Sequence, residues 1–292
     1  MSAAMNEETA IHDLGYRRYE GPREGARGAW IAIFSQGVRT MFGLGRTAKA
    51  KVVPVFVLVI TMLQVIGSLF ASSVSQGQLP VRYGNVLQPS LILYVLFIAA
   101  QAPEVFSRDQ QHRILPLVLT RASSRQAYVS ARLASVIVSL LILVLMCLGL
   151  LYIGEIGLAA DPAKRFGEIG SHIFPVLAIS TLIAISIGGI GAGVSAWSPR
   201  RAFATASIIA LFLLLEAVSK GLDDLSGIAS RSAELISPVS STNTLAMLLF
   251  DETNRGFETN PPMDPIVYVG MLIGYALIGV LILQLRMRRL ET

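Results

Sequence analysis

The chain has 292 residues, 53% of them hydrophobic and only 15% charged, with a mean hydropathy of +0.61. Soluble domains carry about 25% charged residues. The shortfall is concentrated in discrete runs, which excludes an ordinary soluble domain and points to an integral membrane protein. The net charge of +5 and pI near 9.6 read as topology signals at a membrane face rather than as a nucleic-acid footprint.

The first 27 residues are polar and rich in Gly, Arg and Tyr, and hold no apolar core of a signal peptide. They are expected to form a cytosolic arm, leaving the first span to direct insertion. Residues 28–50 follow as an amphipathic segment. Trp30, Phe34, Val38 and Met41 recur at helical spacing, with Arg39, Arg46, Lys49 and Lys51 on the polar side and at the end. This pattern predicts a helix lying in the membrane interface.

Six apolar runs come next, at about 52–72, 86–102, 133–153, 173–197, 202–219 and 266–285. About 20 apolar residues match a hydrocarbon core about 30 Å thick, so residues 51–286 are expected to form one transmembrane domain. The predicted fold is all-α and polytopic, with six transmembrane helices. Pro89 reads as lying before a short second span, and Glu104 as marking its end. With both termini inside, 18 of the 24 Lys and Arg fall on the cytosolic side, as the positive-inside rule requires. Lys164 and Arg165 fall outside, offset by Glu155, Asp161 and Glu168. Residues 287–292 form a short cytosolic tail.

The connection at 103–132 differs from the others. It holds five arginines and an apolar island, Ile114 to Leu119, too short to span. A short helix from about Ser107 to Ile114, a bend at Pro116, and a second helix capped by Ser123 or Ser124 would make a docking knob on the cytosolic face. Residues 220–265 form the largest outer segment. Its apolar stretch, Leu245 to Phe250, predicts a short helix that dips back or caps the bundle.

Signatures of chemistry are missing. There is no GxxxxGK[ST] loop. The glycines of the fourth run, GGIGAGVSAW, superficially resemble a dinucleotide loop but have no preceding strand, and they read as helix-packing positions. Cys147 is the sole cysteine and lies within an apolar run, which excludes an intrachain disulfide and a cysteine metal cluster. His12, His112 and His172 are scattered, so no metal site is expected. Ser195 and His172 stand at opposite ends of one run, too far apart for a nucleophile and its base. No ionisable residue sits at the centre of a run, which argues against a proton-driven pump. Gln64 and Ser68, at i and i+4, and Gln101 are candidate pathway-lining residues, although hydrogen bonds between helices explain the first pair better.

These features together resemble the permease subunits of ABC-2 type transporters, the membrane halves of ATP-binding cassette exporters. The residues carrying the resemblance are DLGYRRYEGPR (Asp13 to Arg23), the six spans, the Pro-Glu…Asp…Leu-Pro…Arg segment after span two, and Ile236-Ser237-Pro238 before span six. The resemblance implies a type V exporter-like fold, with a connecting helix at Ala29 to Gly43, a coupling helix within Ser107 to Leu119 and a re-entrant element at Leu235 to Phe250. It implies that Glu104, Arg108, Asp109, His112, Arg113, Leu115 and Leu117 engage a separate ATPase. It further implies a dimer with a second copy or a similar permease chain, in a bacterial or archaeal cytoplasmic membrane. This chain would bind no cofactor and no nucleic acid, and would not itself be an enzyme; ATP and Mg would be held by the partner. The cargo would be an amphipathic, drug-like, lipid or peptide molecule. The alternative is a membrane-embedded accessory or assembly protein without transport activity.

Overall fold

The computed structural model describes residues 25–75, 81–111, 124–198, 200–223, 232–252 and 262–289, with backbone alone for 108–111, 223 and 287–289. Among these residues there are helices and their connections and no strand. The long elements are α1 (Gly25–Met41), α2 (Ala48–Val74), α3 (Tyr83–Gln111), α4 (Arg125–Gly157), α5 (Pro162–Ile169), α6 (Ile173–Trp197), α7 (Arg201–Asp223), α8 (Pro238–Leu249) and α9 (Pro265–Arg289). Six of them, α2, α3, α4, α6, α7 and α9, are long and apolar enough to cross a membrane. The chain is thus a multi-pass membrane protein.

The six are not equivalent. The most apolar stretch of α3 is 72% buried inside the bundle, whereas those of α7 and α9 are each 22% buried. Helix α3 packs on α2, α4, α6, α7 and α8 and forms the axis of the fold. Helices α2, α7 and α9 turn apolar faces outward, with Phe56, Phe70, Leu214 and Leu277 all exposed. Water cannot solvate so much apolar surface cheaply, and a lipid environment removes the penalty.

Helix α3 corrects two expectations. It starts at Tyr83, so Pro89 lies within its second turn rather than before the helix, and it runs on through Pro103 to Gln111. The second span is therefore not short, Glu104 does not end it, and residues 107–111 continue α3 rather than opening a separate short helix. A proline removes one backbone hydrogen bond and ordinarily breaks a helix. Both prolines are tolerated here because the helix is held on several sides by its neighbours. The expected bend at Pro116 lies outside the described residues. Ser124 does cap the next helix: its side chain accepts a 3.2 Å hydrogen bond from the Ala127 amide. Helix α4 then runs 33 residues without interruption.

The glycines of α6 pack helices. Helix α9 makes its most extensive pairing with α6. A Cβ on Gly193 would fall 2.6 Å from the Gly279 carbonyl oxygen, and one on Gly279 would meet the Gly189 backbone. Only glycine permits this approach, as at small-residue crossings of membrane helices. Gly191 serves α3 in the same way, since a Cβ there would collide with Ile98.

Helix α1 lies against the first turns of α4. The Trp30 indole N–H donates to the Ser130 hydroxyl (3.0 Å), Trp30 stacks on Phe34, and Gly37 gives room to Ser135. Ile31 remains 48% exposed, which suits a helix with one apolar edge free. Helix α8 is the short element expected near Leu245. Its Ser237 cap accepts from the Val239 and Ser240 amides, and Pro238 occupies the first turn, where the missing N–H costs nothing.

Candidate functional site

The polar groups of the bundle gather at its two ends. At one end α2, α4 and α7 begin while α3, α6 and α9 finish; at the other the directions reverse. No Lys, Arg, Asp or Glu lies along α6.

At the first end the centre is Glu104, 5% exposed. Arg46, from the link between α1 and α2, contacts its Oε2 at 2.6 Å, and Arg201, from the first turn of α7, contacts Oε1. One carboxylate therefore ties three parts of the chain: the α1–α2 elbow, α3, and the start of α7. One turn further, the Ser107 hydroxyl donates to the Ser195 carbonyl of α6 (3.0 Å). A buried carboxylate is stable only when paired and hydrogen-bonded, and two guanidiniums meet that need. Alongside, the Arg132 guanidinium lies 5.5 Å from the centre of the Tyr128 ring, within reach of a cation–π contact.

Of the residues to which the resemblance gives a coupling role, Glu104 thus faces into the bundle. Arg108 and Asp109 occupy the last turn of α3. His112, Arg113, Leu115 and Leu117 lie outside the described residues. Nothing local in the sequence links Arg46 or Arg201 to Glu104; only the packing of α2 and α7 on α3 does so.

The candidate pathway residues do not form one site. The Ser90 hydroxyl lies 2.8 Å from Gln64 Oε1, joining α2 to α3, so Gln64 serves the interhelical role. Ser68 is half-buried one turn along. Gln101 sits eleven residues beyond Ser90 on α3, about 16 Å away at the helical rise. It is 3% exposed, and its Oε1 finds no hydrogen-bond partner among the described residues. Such an orphaned buried acceptor costs about 1–3 kcal/mol. Thr61, Ser139, Thr181 and Ser186 instead return their hydroxyls to carbonyls of their own helices.

The second end is built differently. Asp161 caps α5 through the Ala163 and Lys164 amides, both at 3.1 Å. That places Arg165 against Glu155 and, at 2.9 Å, against Glu168. Arg165 is thus offset by two of the three acids expected, while the third caps a helix. The Tyr83 phenol donates to Glu155 Oε2 (2.9 Å). Tyr83 and Phe250 stack with centroids 4.1 Å apart, and His172 meets both rings edge-on. The Glu252 carboxylate accepts from the Tyr83 amide and, at 3.0 Å, from the Gly84 amide, which closes the start of α3. Burial pushes the Glu252 carboxyl above its ordinary value, against the opposing pull of those two amides. These groups border a cavity of about 200 Å³. Helix α5 was not expected from the sequence, although Asp161-Pro162 carries the signal of a capped start; the aromatic trio, drawn from the start of α3 and two separate connections, has no such local signal.

Among the described residues no group of three or more His, Cys, Asp or Glu side chains converges as a metal site would. Comparison with protein-family models and with curated proteins found no match to this chain.

Proposed function

We propose that this chain is the membrane subunit of an ATP-driven exporter of the ABC-2 type, working as a dimer and coupled to separate ATPase subunits. The observation that carries the reading is the construction around α3. Its final turn bears Arg108 and Asp109 beyond the apolar span, which extends from Tyr83 to Ser107. Just inside that turn, Glu104 joins the α1–α2 elbow and α7 to the same helix. A push on the connection between α3 and α4 would move these elements together. A protein that does mechanical work on its spans needs such a linkage, and a ligand or partner can shift the bundle only as far as it binds two arrangements differently. In this reading both termini lie in the cytosol of a bacterial or archaeal cell, and ATP and Mg belong to the partner.

The test starts at the chromosome, where the reading expects a P-loop ATPase gene adjacent to this one, and continues with reconstitution of that ATPase with this chain. Stable co-purification and ATP hydrolysis stimulated by the membrane subunit are expected. Reversing both charges, Arg108→Glu with Asp109→Arg, should abolish the stimulation while leaving the spans folded. Full stimulation in that variant would remove the coupling assignment. Failure of any ATPase to associate would favour the accessory-protein reading.

A further inference from the structure

Four carboxylates lie within the candidate spans; Glu168 pairs with Arg165, and the compensation of the other three is unequal. Glu104 has two arginines, and Glu155 has Arg165 and the Tyr83 phenol. Among the described residues the one cation paired with Glu216 is Lys220 of its own helix, at 3.3 Å and 72% exposed, a geometry that contributes little. Its other partners are the Ser237 and Ser240 hydroxyls, at 2.7 and 3.0 Å.

Glu216 borders a cavity of about 130 Å³ between α3, α7 and α8, with exposed Gln88 and Lys220 at its mouth. A water claims about 30 Å³, so the space suits about four waters, or one ammonium group with its first methylenes. Glu234, on the opposite wall, takes a hydrogen bond from the Tyr268 phenol (3.0 Å). What remains unmatched is informative. Asn243 Oδ1 is buried and has no donor among the described residues. The Ser219 and Thr244 hydroxyls, on side chains 2% and 4% exposed, line the cavity and have no partner among the described residues. Two carboxylates, a bare amide oxygen and two free hydroxyls form a set rich in acceptors. With Lys220 counted, the wall carries one net negative charge. The complementary ligand has one positive charge and several N–H donors. Leu213, one turn below Glu216 on α7 and 63% exposed, offers an adjoining apolar surface.

We infer that this cavity binds the ammonium head of an amphipathic amine, with Glu216 and Glu234 as counter-charges, Asn243, Ser219 and Thr244 as acceptors, and the alkyl tail lying along α7 at Leu213. That the amine is cargo rests on the exporter reading; that it binds does not.

The experiment titrates the full chain in phosphatidylcholine nanodiscs with decylammonium by calorimetry, using empty nanodiscs as the baseline and decanol, decyl sulfate and sodium chloride as comparison probes. Decylammonium is expected to bind saturably, one per chain, whereas decanol and decyl sulfate only partition. Glu216→Gln keeps an oxygen for the two serine hydroxyls but removes the charge, and should weaken binding by about tenfold or more. Thr244→Val, close in shape, should weaken it by several-fold, and Asn243→Asp, which preserves an acceptor, should not weaken it. Unchanged affinity in folded Glu216→Gln and Thr244→Val, or equal binding of decanol, would overturn the inference. So would displacement of the amine by millimolar sodium, which would make this a metal-cation site. Decylammonium binding without any associated ATPase would sink the exporter reading and leave this site standing; ATPase stimulation without amine binding would do the reverse.

Discussion

At one end of the bundle a single carboxylate, Glu104, holds two arginines that arrive from different parts of the chain. At the other, Glu155, Arg165, Glu168, Tyr83 and Glu252 share the load with an aromatic trio. The first arrangement concentrates three connections on one residue, so they move or fail together. The second spreads its connections over three helices and two short links, so losing one member leaves others in place. A bundle that is driven from one end and holds a ligand at the other would use this asymmetry: a stiff common joint where force enters, and a divided, adjustable rim where a cavity opens.

The comparison is open to test, beginning with the joint. Glu104→Ala leaves two guanidiniums without their carboxylate and should cost about 3–5 kcal/mol, measured as loss of thermal stability in nanodiscs. A loss no greater than that of a rim variant would end the claim that the joint is concentrated. Tyr83→Phe removes one hydrogen bond to a charged group at the rim and should cost about 1.5–3 kcal/mol by the same measurement. Arg201→Ala should cost less than about 1 kcal/mol, because its side chain is 58% exposed and Arg46 still holds Glu104. The smallest effect is a pH dependence. Glu252 has a folded-state value raised above 4.5, so its protonated form favours the fold. That contribution is complete below pH 4.5 and is lost as pH rises through the raised value. The melting temperature should therefore fall slightly across that window, and Glu252→Gln should flatten the step.

Much of the architecture was legible in the chain because its signals are local. A run of about 20 apolar residues has few options in lipid other than a helix. Ser124 followed by an apolar-periodic stretch marks a helix start within one turn, and Asp161-Pro162 carries the same signal for α5, a helix that was not expected. The spacing from Gly189 to Gly193 announces a close crossing, though it does not name α9 as the partner. Where the reading went astray, a neighbour overrode a local rule. Pro89 and Pro103 should end a helix, yet α3 passes through both, packed on several neighbours, as α2 passes through Pro54.

The sequence by itself determined that the chain crosses a membrane, roughly where, and which short elements are capped, since hydropathy and capping act over one to a few turns. Only the tertiary structure decided which charges meet. Glu104 is 58 residues from Arg46 and 97 from Arg201, and Glu216 reaches Ser237 only through the docking of α8 against α7. The need for a counter-charge can be read from a single buried carboxylate, but its identity depends on how helices distant in the chain pack together.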